Sequence, residues 1–199
     1  MVQTLVFKLI LYAGCLSVLD GNCWSCKKAS YSIKEFFSTR EPIWTYTTSG
    51  NTNLRCLVDQ VNVMEQKLVT FTRSCYNKGY KVSRLFYGFF DKHRKKHMDV
   101  KPQGKGINFQ EDLIFMSDDK SCAVILVTTK VCAKRFTYDL RVRNSHIRHS
   151  PHPKCLHVYE KFERHGIVVY DPSCQGILAK VANSKVYEPQ QDRCGSGMN

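Results

Sequence analysis

Between Ile107 and Phe115 the side chains alternate in character: Ile107, Phe109, Glu111, Leu113 and Phe115 fall on one side, and Asn108, Gln110, Asp112 and Ile114 on the other. A period of two marks a half-buried strand, here with an acid placed among apolar neighbours. The same period sets Val69, Phe71 and Cys75 on one side of Lys67–Tyr76, and Val82, Phe86 and Phe90 on one side of Lys81–Phe90, with Asn77-Lys78-Gly79 as the turn between them. Ile43–Thr48, rich in β-branched and aromatic residues, reads as the first strand, and Leu54–Glu65 as the second. A weaker strand is expected at His97–Lys101. The unbroken apolar run from Cys122 to Val127 predicts a strand buried on one or both faces, followed by another at Arg135–Asn144.

Twice the period lengthens to three and four residues. Ile33, Phe36 and Phe37 predict a short helix within Ala29–Thr39, ended by Arg40-Glu41-Pro42 because proline disfavours helix in the residue before it. Leu156, Tyr159 and Phe162 predict a second helix from Pro153 to a stop at Gly166, with a last strand at Ile167–Tyr170. Short strands at regular spacing, separated by turn signals and flanked by helices, indicate an up-and-down β-barrel or a sandwich. An eight-stranded barrel holds one small ligand.

The chain has 199 residues, enough for one substantial core, so a single domain is expected over residues 22–185. Leu5–Leu19 carries only one charge, Lys8, and precedes Asp20-Gly21, which predicts a secretory signal peptide over residues 1–21. Tyr12-Ala13-Gly14-Cys15 loosely imitates a lipoprotein box, with Tyr12 out of place. No later segment is long and apolar enough for a membrane helix, and an extracellular product is expected. Residues 186–199 read as a polar tail. Of the ten cysteines, Cys15 leaves with the signal and the remainder suit a disulfide framework with one odd thiol. Cys23-Trp24-Ser25-Cys26 has the spacing of a zinc or redox pair, but no second pair at matching spacing follows, and structural bonding is the expectation.

The net charge of +13 invites an anionic partner. Its densest run is Lys92-His93-Arg94-Lys95-Lys96-His97, which lacks the interleaved aromatics of a nucleic-acid site. A glycan, an anionic surface, a host protein and a merely solvated loop all remain open there. Enzyme chemistry is not expected: His146, His149 and His152 sit in a proline-containing basic loop without a carboxylate, and neither a phosphate loop nor a nucleophile elbow is present. No cofactor or metal is implied.

Taken in order, Glu41-Pro42-Ile43-Trp44-Thr45-Tyr46, Cys56-Leu57-Val58-Asp59, Ser117-Asp118-Asp119 before Cys122, Tyr138-Asp139-Leu140-Arg141-Val142, Cys155-Leu156 and Val169-Tyr170 before Cys174 resemble the tick salivary lipocalins, the family of the histamine-binding proteins. The resemblance implies a mainly β, eight-stranded antiparallel lipocalin-type barrel with an N-terminal and a C-terminal helix. It also implies secretion in saliva and sequestration of a host inflammatory mediator, histamine or another biogenic amine. Two disulfides come with it, Cys56–Cys174 and Cys122–Cys155. Cys75 with Cys132 is a further expectation, leaving Cys23, Cys26 and Cys194 for one bond and one free thiol.

The family's amine pattern is altered in this chain. Ala123 replaces its first acid, Asp139 stands at the second, and Arg141 replaces an aromatic. An ammonium leaving water needs a carboxylate and benefits from an aromatic face. A guanidinium two residues from Asp139 on the same strand face works against a cation. Arg141 could instead grip the carboxylate of a fatty acid or eicosanoid, with Ala123, Ile125 and Val127 along its tail, or pair with Asp139 at the surface. Glu111 is the candidate second interior acid, and Trp44 and Tyr46 are the candidate aromatic contacts. A third class, a protein-binding barrel acting on a complement or clotting component through its basic loops, also remains.

Overall fold

The computed structural model describes residues 31–130, 133–148 and 150–179. The expected signal segment and tail, and Cys23, Cys26, Cys132 and Cys194, lie outside the described residues.

Strands β1 (Ile43–Thr48), β2 (Leu54–Met64), β3 (Leu68–Asn77), β4 (Tyr80–Phe90), β5 (His97–Pro102), β6 (Phe109–Met116), β7 (Cys122–Lys130) and β8 (Lys134–Arg143) form an antiparallel meander. β1 pairs with β8 along its length and with β2 at Ile43 and Trp44, which closes the sheet. The result is an eight-stranded up-and-down barrel of the lipocalin type rather than a sandwich. The β1–β8 ladder shifts register between Thr45 and Thr47, and the far half of β1 is not paired with β2. That half pairs instead with β9 (Ile167–Val168), and Val169 C=O accepts from Cys56 N–H at 2.7 Å.

Alternation divides most of the apolar residues between two cores, with Leu54 and Cys75 in a small third cluster. Inside the barrel lie Phe71, Phe86, Met98, Val100, Phe109, Leu113, Ala123, Ile125 and Val127. Helix α1 (Ile33–Phe37) closes one end with Ile33, Phe36 and Phe37 fully buried; Ser32 and Glu35 form a capping box at its start, and Arg143 donates to the Glu35 and Phe36 carbonyls at its finish. Outside, helix α2 (Pro153–Glu160) packs Cys155 and Tyr159 over Trp44, Val124, Leu140 and Val142. β7 is therefore covered on both faces, which explains its unbroken apolar run.

Both helices are shorter than the sequence pattern predicts. α2 stops at Glu160, and Gly166 is not its stop: a Cβ there would fall on the Tyr159 hydroxyl and 2.7 Å from Thr47 Cγ2, so glycine is required by close packing. The 3-10 turn Pro172–Leu178, capped by Asp171, is absent from the sequence reading. Cys56–Cys174 ties it to β2, and Cys122–Cys155 ties α2 to β7, the two pairs that the resemblance implies. Cys75 is also disulfide-bonded; its expected partner Cys132 lies outside the described residues. Among the described residues no helix is long and apolar enough to cross a membrane.

Candidate ligand-binding site

An ion network crosses the lumen from wall to wall. β2 supplies Asp59, β3 its register partner Arg73, β6 supplies Glu111, and β8 supplies Asp139 and Arg141. Arg73 grips Asp59 with Nε to Oδ1 at 2.6 Å and Nη2 to Oδ2 at 2.7 Å, and reaches Glu111 Oε1 at 3.1 Å. Arg141 holds Glu111 in a fork, Nη1 to Oε2 at 2.9 Å and Nη2 to Oε1 at 2.7 Å, and touches Asp139 Oδ2 at 3.0 Å. Thr48 Oγ1 donates to Asp139 Oδ1 at 2.7 Å. Glu111 and Arg141 have no solvent exposure at all.

Burial alone would push the Glu111 carboxyl up, but the guanidiniums of Arg141 and then Arg73 outweigh it and hold the group below its ordinary value. Burial likewise opposes the charge on Arg141, and the carboxylates of Glu111, Asp139 and Asp59 overcome it, so its pKa is raised. Arg73 follows the same pattern, with Asp59 as the main counterweight. The Arg73 guanidinium lies 5.4 Å from the Phe71 ring centre and 5.5 Å from those of Phe86 and Phe109. Carboxylates on one side and aromatic faces on the others hold the Arg73 cation in place.

The structure therefore brings Glu111, Asp139 and Arg141 together, with Ala123 opposite Arg141 in the ladder and its methyl in the inner core. It corrects the placement of Trp44 and Tyr46. Ile43 belongs to the inner core, so alternation turns Trp44 outward, where Nε1 donates to Asn144 Oδ1 at 2.9 Å and the ring meets Tyr170 at 5.1 Å. Tyr46 packs against the same outer cluster. The surface Asp139–Arg141 pair is also excluded, because both residues are buried in the network.

Asp59 and Arg73 are the members that the sequence reading misses. The signal was present: Arg73 continues the series Val69, Phe71, Cys75, which predicts that it faces inward with them.

An open cavity of about 710 Å³ is lined by Phe89, Lys101, Ile107, Gln110 and Thr128 together with the inner residues Val100 and Phe109, and no charged member of the ion network borders it. Cys56, Asp171 and Cys174 cluster closely, but the two sulfurs are bonded to each other, which leaves no thiolate for a metal. His152 caps the start of α2 and His146 Nδ1 meets Ser145 Oγ at 2.8 Å.

No family model and no curated protein matches the chain. Among solved structures it is similar to the siderocalin Ex-FABP, described as functioning through dual ligand specificities, at 10% identity and TM-score 0.48 over 63% of this chain and 84% of that one. It is also similar to a deswapped triple mutant of bovine odorant binding protein, at 10% identity and TM-score 0.47 over 64% of this chain and 90% of that one.

Proposed function

We propose that this barrel binds a small cationic amine of the biogenic class, histamine or a relative, and as a secreted protein withdraws it from host tissue to blunt the host's defence. The observation that carries the reading is the charge balance of the lumen: three carboxylates, Asp59, Glu111 and Asp139, face two guanidiniums, Arg73 and Arg141. One negative charge is left over inside a wall of aromatic rings. A monocation at about 4 Å gains roughly 4 kcal/mol from such a charge at an effective dielectric of about 20, and an anion loses as much. Each carboxylate has more acceptor positions than the arginines fill, so an ammonium has lone pairs to meet. The disulfide framework supports an extracellular setting.

The same geometry argues against the anionic lipid. Both Nη atoms of Arg141 are engaged by Glu111 and Asp139, and only Nε has no hydrogen-bond partner among the described residues. A fatty acid carboxylate would have to displace two carboxylates already in place.

Titration calorimetry of the folded protein with histamine, serotonin, a leukotriene and a long-chain fatty acid tests the reading, with Asp139→Asn as the comparison. The expected result is amine binding that weakens by roughly tenfold or more when the lumen loses its surplus charge. Lipid binding in place of amine binding, or amine binding untouched by Asp139→Asn, overturns it.

A further inference from the structure

The barrel end closed by α1 carries cations drawn from three separate segments. The β4–β5 loop presents Lys92, Arg94, Lys95 and Lys96, all exposed, the β2–β3 turn adds exposed Lys67, and α1 adds half-buried Lys34. Their contacts make one continuous surface. Lys95 C=O accepts from Ile33 N–H at 3.0 Å, Lys67 C=O accepts from Phe90 N–H at 3.0 Å, and Lys34 Nζ donates to Gln66 C=O at 2.9 Å while lying 5.8 Å from the Phe90 ring centre.

This array is held in place. Asp91 Oδ1 accepts from the backbone N–H groups of His93 at 2.8 Å and Arg94 at 3.0 Å, its Oδ2 accepts from Arg94 Nε at 2.7 Å, and Lys96 C=O accepts from Leu113 N–H at 2.7 Å. The loop backbone is thus fixed at both ends while its ammonium groups stand in water. His97, the last residue of the basic run, does not belong to the array. It is buried, with Nδ1 2.7 Å from Asp112 Oδ1. Of the neighbouring acids, Asp91 is taken by Arg94, Glu35 is engaged in the α1 cap, Asp99 and Asp112 face His97, and Glu65 stands exposed in the turn with Lys67, so the lysines of the loop still leave positive charge in excess. Like charges pinned side by side repel, which gives the fold nothing.

We propose that this end docks a sulfated polysaccharide chain. Sulfate groups are permanent anions repeated along a polymer, and a fixed cluster of ammonium groups meets several of them at once, with counterion release supplying the affinity. A bilayer fits less well, because the exposed loop Lys92–Lys96 contains no apolar side chain to insert.

Heparin is the probe, immobilised for surface plasmon resonance with the full-length protein at physiological ionic strength. Two triple variants carry the same change in net charge: Lys92→Glu with Lys95→Glu and Lys96→Glu at this end, and Lys101→Glu with Lys105→Glu and Lys130→Glu toward the other. All six side chains are exposed, the contacts of Lys95 and Lys96 above run through carbonyls that the substitutions keep, and near-ultraviolet circular dichroism confirms that both variants fold. The expected result is heparin binding weakened roughly tenfold or more by the first set and little by the second. Equal losses in both sets would show attraction to net charge alone and overturn the proposal. Absence of heparin binding, or equal binding to phosphatidylserine vesicles, overturns it as well.

Discussion

Arg141 brings one of the chain's own cations into the lumen. Its guanidinium is fully buried, forked onto Glu111 and in contact with Asp139, so two of the lumen's carboxylates depend on one side chain for their counter-charge. Such pairs are strongly destabilising when broken on one side and far less so when both partners are replaced by apolar groups. Arg141→Met should therefore cost about 3–5 kcal/mol in denaturant melts, and adding Glu111→Leu should recover more than half of that loss. The pH dependence follows from the same contacts. Glu111 has a carboxyl pKa lowered from 4.5 on folding, so the stability that it contributes is complete above that value and is lost as the pH falls through its folded value. Acid unfolding should begin at lower pH in the double variant than in Arg141→Met, and the reverse order would count against this account. Of these residues, Glu111 was legible because it breaks an apolar series that a period of two makes obvious. Arg73 breaks such a series too, but a long basic side chain in a basic protein reads as solvated unless the alternation is carried through to it.

At the scale of elements, legibility followed the strength of the local pattern. The β3–β4 hairpin is where the pattern places it, and β6 keeps its alternation from Phe109 to Leu113, after which a register shift against β7 moves Phe115 to the outer cluster. Helix ends were less legible, because α2 takes its length from what it can cover and from the Cys122–Cys155 bond, neither of which is written in the spacing of Leu156, Tyr159 and Phe162. Trp44 and Tyr46 were misplaced for a related reason: aromatics on a strand say that a face is buried, but in a barrel wrapped by a helix both faces are. The passage from α2 to β9 depends on Gly166, whose backbone lies against Tyr159 and Thr47. The hydroxyl of Tyr159 has no hydrogen-bond partner among the described residues, and burial, with Asp139 and Glu163 adding to it, pushes its pKa well up. Gly166→Ala should destabilise by about 1–3 kcal/mol through overpacking, and Tyr159→Phe, which removes the obstructing oxygen, should relieve part of that penalty in a double-mutant cycle. Strict additivity of the two changes would rule the contact out as the cause.

For the molecule as a whole, closure of the barrel is a long-range event, since β1 must find β8 and β2, and the resemblance anticipated it while the strand pattern left a sandwich open. Among the described residues, two covalent links hold the outer layer to that closed sheet. Cys56–Cys174 spans 118 residues and Cys122–Cys155 spans 33. On loop-closure entropy these are worth about 5 and about 4 kcal/mol respectively, comparable together with the roughly 5–15 kcal/mol that separates folded from unfolded domains. What they hold is unequal. Losing Cys122–Cys155 frees α2 from β7, uncovering Trp44 and Leu140 while the ion network in the lumen keeps its partners. Losing Cys56–Cys174 frees the 3-10 turn and with it β9, the strand that covers the far half of β1 beside Thr48 and Asp139. Cys56→Ser with Cys174→Ser should therefore lower stability more than Cys122→Ser with Cys155→Ser, and should weaken the proposed amine binding besides, because the Thr48–Asp139 hydrogen bond loses its outer support. Thermal melts and calorimetry of the two pairs decide the point: equal stability losses, or amine affinity that falls only with the α2 bond, would mean that the helix and not β9 steadies the acid.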